Sequence, residues 1–108
     1  MQVPLSPDEA VLRETGANVG RGWSAVRGTL RLTSRRLVFV ARDVPDYTIE
    51  IPLEEISVAA RVYLRGPLGL NNVRSLQLNL RDGTVSTFMV TRPMRWVAAL
   101  AGAGVSRG

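Results

Sequence analysis

Cysteine, histidine and lysine are all absent from these 108 residues, and each absence removes a class of chemistry. Without cysteine there is no disulfide frame and no thiol nucleophile, and without cysteine and histidine there is no structural zinc site. The lack of histidine also excludes a Ser-His-Asp triad and an imidazole base, and the lack of lysine excludes a Schiff base. Nine carboxylates and two tyrosines are what remains for acid–base work. The sequence therefore predicts no catalytic residue, no metal site and no cofactor. Long apolar runs are missing too: the longest, residues 96–101, is six residues, against the ~18 of a membrane span. The N-terminus carries Asp8 and Glu9 rather than a basic start and an apolar stretch, so no secretory leader is expected and the chain reads as cytoplasmic.

What is present describes a folded domain. The chain is 45% hydrophobic and 21% charged, the balance of a globular protein, and its length suits one domain, residues 1–108 with a core over about 8–101. Net charge is +5 and every cation is an arginine. That balance permits an anionic partner without demanding one.

Alternation with period two runs from residue 10 to residue 90 and predicts half-buried strands. Val26, Gly28, Leu30 and Leu32 alternate with Arg27, Thr29 and Arg31. Residues 37–40 are apolar on both parities and read as a strand covered on both sides. Further alternating sets are Tyr47, Ile49, Ile51 and Leu53, then Ile56, Val58, Ala60, Val62 and Leu64, then Leu76, Leu78 and Leu80. Short connections carry turn residues: Thr33-Ser34, residues 42–46 with their proline, the glycine-rich 66–72, and Asp82-Gly83, which suits a tight hairpin. After Arg92-Pro93 the period becomes helical. Met94, Val97, Ala98 and Ala101 recur on one face widened by Trp96 and Leu100, and Gly102 and Gly104 stop the helix. The fold class is thus mainly β, about seven antiparallel strands and one C-terminal helix. The expected core is Leu30, Leu32, Phe39, Ile51, Val58, Leu78, Phe88, Trp96 and Leu100.

The run of residues 28–39 resembles the GRAM domain of the pleckstrin-homology-like superfamily, whose second and third strands show G-x-L-x-L-T-x-x-R-L-x-F. Gly28, Leu30, Leu32, Thr33, Arg36, Leu37 and Phe39 occupy those positions. The segment Ile-Pro-Leu-Glu-Glu-Ile at 51–56, the Asp82-Gly83 hairpin and Trp96 in the closing helix match in kind and order. The resemblance implies a partly open barrel capped by the helix, with Trp96 as a core plug. It also implies a non-catalytic binding module for phosphoinositide head groups, other anionic lipids or protein surfaces.

In lipid-binding members basic residues of the first two strands and their loop hold the head group, a region that here offers Arg21, Arg27 and Arg31 beside Trp23. This chain departs from that pattern: it has no lysine, and Arg27 and Arg31 are separated by three residues rather than one. The departure weighs against specific head-group recognition, so protein–protein contact is the first expectation. Peripheral binding of anionic lipid at the membrane is the alternative, and a homo-oligomer built through edge strands is a third reading. Leu68 and Leu70, in a glycine- and proline-rich loop between Arg65 and Arg74, form a candidate apolar contact tip. Arginines 27, 31, 61 and 81 could form a stripe for nucleic acid, but the low aromatic content leaves no stacking face for it. Glu54-Glu55 and the pair Asp43 and Asp46 read as solvated turn residues rather than a catalytic or calcium site.

Overall fold

The computed structural model describes residues 4–21, 24–65 and 72–108. The strands are β1 (Val11–Arg21), β2 (Ser24–Thr33), β3 (Arg36–Ala41), β4 (Thr48–Pro52), β5 (Ile56–Arg65), β6 (Asn72–Leu80), β7 (Val85–Met89) and β8 (Ser106–Arg107). A 3-10 turn, Leu53–Glu55, joins β4 to β5, and the helix α1 (Pro93–Gly102) follows β7. They form one open eight-stranded sheet in the order β4-β3-β2-β1-β7-β6-β5-β8. Seven strands are antiparallel, as expected; the eighth, β8, is a short parallel addition to the outer edge of β5.

Strand β2 shows why the alternation folds as it does. Val26, Leu30 and Leu32 are buried at 5%, 0% and 0% exposure, while Arg27 faces water. Gly28 belongs to the buried parity, and only glycine fits: a Cβ there would lie 2.3 Å from the Val40 carbonyl oxygen and 2.7 Å from Phe39 Cζ. The tip of the Phe39 ring therefore comes close to β2 at Gly28, and the ring meets Phe88 at 5.9 Å and Tyr47 edge-on at 6.3 Å.

Thr33 and Arg36 organise the turn between β2 and β3. The fully buried Thr33 hydroxyl accepts from the backbone N–H of Arg35 and Arg36 at 3.1 and 3.0 Å. It donates to Glu9 Oε2 at 2.5 Å. Glu9 also takes two hydrogen bonds from Arg36, at 2.9 and 3.1 Å, and one from the Ser6 N–H at 3.0 Å. Arg36 reaches on to Glu50 and to the Pro4 carbonyl. The carboxylate is thus almost fully removed from water yet has four donors, and the Arg36 hydrogen bond above all lowers its pKa from 4.5 to about 2.

Two expectations about the core need correction. The alternation of β5 does not continue unbroken, because a bulge lies between Ile56 and Val58. The extra residue shifts the parity by one, so Ile56 and Ala59 are buried at 1% each while Val58 is only half-buried and outside the core. Helix α1 is also turned from the expected face. Pro93, Trp96, Val97 and Leu100 are buried, whereas Met94 is 45% exposed and Ala98 faces solvent. The bulky Trp96 and Leu100 set the orientation, and Arg13 of β1 lays its guanidinium 5.4 Å above the Trp96 ring.

The helix ends in a left-handed glycine cap. Gly104 has φ +100°, its N–H donates to the Ala101 carbonyl at 3.1 Å, and the Val105 N–H donates to the Leu100 carbonyl at 2.9 Å. Buried Val105 packs with the core that holds Leu100, which completes the motif and swings the tail onto β5.

Candidate functional site

Arg27 and Arg31, paired by the sequence reading, have different surroundings. Register places Glu14 of β1 opposite Arg31, and Arg31 Nε donates to Glu14 Oε2 at 2.6 Å. Its charge is balanced by its neighbour. Four residues along the same strand, Arg27 stands opposite Asn18 on one side. On the other side is Arg42, whose backbone N–H donates to the Arg27 carbonyl at 2.8 Å. Like charges on facing residues are unfavourable in a sheet, and among the described residues no carboxylate pairs with either.

Arg27 and Arg42 border a groove of about 560 Å³ at the seam where β1 meets β7. That seam is thin, a single pairing of Asn18 with Met89. Arg74 of β6 stands on the other wall, and Gly16 and Gly28 also line the groove. Asn18 and Thr91 add neutral hydrogen-bonding groups, and among the described residues no carboxylate lines it. Three arginines lining one concave surface suit a multivalent anion such as a phosphate group, which arginine holds through paired hydrogen bonds.

The sequence reading missed Arg42 and Arg74, which are 15 and 47 residues from Arg27. The signal was the absence of any acidic residue beside Arg74 and Arg27 in their strands, but only the assembled groove brings the three together. Of the other candidates, Trp23, Leu68 and Leu70 lie outside the described residues, as does the side chain of Arg21. The stripe of Arg27, Arg31, Arg61 and Arg81, already disfavoured by the low aromatic content, does not form. Arg31 is taken by Glu14, Arg81 donates to the Glu54 carbonyl at 2.7 Å, and the β5 bulge places Arg61 opposite buried Leu76, on the other face from Arg27. Glu54 and Glu55 are exposed in their 3-10 turn, and Asp43 and Asp46 are exposed in the β3–β4 loop.

No family model matches the chain, and no curated protein resembles it in sequence. Solved structures do share its fold. The C-terminal domain of an unknown protein from Leishmania infantum aligns with a TM-score of 0.67 at 14% identity, over 88% of this chain and 84% of that one. The Vps36 N-terminal PH domain aligns with a TM-score of 0.65 at 17% identity, over 92% and 84%. The hSac2 domain from human phosphoinositide phosphatase Sac2 aligns with a TM-score of 0.68 at 13% identity, over 96% and 78%. Among the described residues no helix is long and apolar enough to cross a membrane. An open sheet of eight strands closed at one corner by a C-terminal helix, with these neighbours, is a pleckstrin-homology-like fold.

Proposed function

We propose that the chain is a non-catalytic binding module of the GRAM type, with the groove between Arg27, Arg42 and Arg74 as its recognition site and a phosphate-bearing lipid head group at an anionic membrane surface as its ligand. The observation that carries this reading is the exposure of Arg27 beside Arg42 with no carboxylate among the described residues paired to either, while Arg31 on the same strand has Glu14. A structural role would favour the second arrangement at both places. The neighbouring domain from a phosphoinositide phosphatase is consistent with a fold used near such lipids. Protein contact, placed first on sequence grounds, is favoured by a different surface, the open edge of β5.

Each cation near an anionic surface contributes about 1 kcal/mol, so three contribute about 3, enough for reversible attachment that salt screens. Sedimentation with vesicles containing phosphoinositide tests this. Arg27→Glu/Arg42→Glu should lose at least about tenfold in binding at low salt, and Arg31→Glu, whose charge Glu14 already balances, should lose much less. Equal losses from both variants would overturn the assignment of the groove.

A further inference from the structure

The two ends of the sheet are finished differently. Strand β4, at one end, is five residues long, stops at Pro52 and carries Glu50 tied to Arg36. Those are features that discourage a further strand. Strand β5, near the other end, is ten residues long, and β8 covers only Val58 and Ala59. Among the described residues no strand pairs with the outer side of residues 60–64.

The direction of the free groups follows from the ladder. The Gly108 N–H donates to the Ala59 carbonyl at 2.9 Å, so the backbone of Ala59 faces the outer edge. Backbone groups alternate sides along a strand, and Arg61 and Tyr63 therefore present their N–H and C=O groups to the same open edge. The chain's own tail shows that this edge accepts a strand. Tyr63 is 51% exposed and Leu64 38%, and Arg61 rests on the Tyr63 ring at 5.2 Å.

Charge indicates what would add there. From residue 56 to the C-terminus there are seven arginines and a single carboxylate, Asp82, which lies in the β6–β7 turn. Strands β5, β6, β7 and β8 contain no acidic residue at all. A second copy pairing through the same edge would set arginine against arginine, which opposes association. We infer that the edge of β5 at residues 60–64 takes an extended acidic segment of another protein as an added strand. Arg61 and Tyr63 supply the backbone hydrogen bonds, and Arg61 with the exposed Arg107 of β8 supplies the charge.

The test uses two ten-residue peptides, one alternating glutamate with valine and one alternating lysine with valine, titrated against the full chain. The glutamate peptide should bind and slow hydrogen exchange at the Arg61 and Tyr63 amides. Tyr63→Pro removes an edge N–H that β6 does not use, so it should leave thermal unfolding near the wild type and weaken peptide binding about tenfold. Arg61→Glu should weaken the glutamate peptide without relying on a backbone change, and it provides the comparison if the proline variant fails to fold. Arg27→Glu/Arg42→Glu should leave the exchange protection at Arg61 and Tyr63 in place, which separates this edge from the groove. Equal binding of both peptides, protection confined to the groove, or dimerisation through the same amides would overturn the inference.

Discussion

Arg42, the residue just beyond the end of β3, faces Arg27 of β2 and is joined to it by a backbone hydrogen bond of 2.8 Å, and among the described residues no carboxylate forms an ion pair with either. Like charges facing each other oppose the pairing of neighbouring segments. Replacing Arg42 with glutamine should raise the unfolding free energy measured in urea slightly, by no more than about 1 kcal/mol because both groups are exposed, while weakening anion binding. Loss of stability in Arg42→Gln would mean that the arginine serves the fold instead.

Gly28 marks the closest approach of β2 to β3. A Cβ would meet the Val40 carbonyl oxygen and the Phe39 ring well inside contact distance. Gly28→Ala should therefore destabilise by roughly 1–3 kcal/mol, as overpacked cores do. Gly20→Ala is the control, since nothing lies within 4 Å of a Cβ there. Similar unfolding midpoints for the two variants would contradict this account of the glycine.

Trp96, fully buried between Arg13 and the core, closes the corner that the sheet leaves open. Trp96→Ala should cost about 3–5 kcal/mol. Chemical denaturation followed by far-ultraviolet circular dichroism measures it, and a change under about 1 kcal/mol would remove the helix from its place as a plug.

Acid should loosen the N-terminal segment through Glu9. Its carboxyl is held at about 2 in the fold, against 4.5 ordinarily, chiefly by Arg36. A depressed carboxylate contributes stability that is complete above its ordinary pKa and is lost as pH falls through the interval from 4.5 to about 2. Glu9→Gln should be less stable at neutral pH, and its stability should fall less steeply across that interval. A parallel pH profile for wild type and variant would contradict this role.

Much of the fold was legible because local pattern and tertiary environment agree along β2, β3 and β6. Leu30, Leu32, Phe39 and Leu78 are buried as their alternation indicates. Val58 was misplaced because one extra residue in a bulge reverses every side chain beyond it, and nothing in the spelling of residues 56–58 announces that. The helix face was displaced because small residues such as Ala98 fit the helical period without needing burial, whereas Trp96 does need it. The candidate site was half legible. Arg27 was found by its outward parity, but the difference between Arg27 and Arg31 resides in their cross-strand neighbours, Arg42 and Glu14, and register is a property of the assembled sheet.

The most direct test of the groove avoids membranes altogether. A soluble multivalent phosphate, inositol hexakisphosphate, would be titrated into the labelled chain while backbone resonances are followed by nuclear magnetic resonance. The account predicts that the largest salt-sensitive shifts fall at Gly16, Asn18, Arg27, Arg42 and Thr91, which share the groove, and that Glu14 and Arg31 move little. Shifts centred on Glu14 and Arg31, or none at low salt, would contradict it.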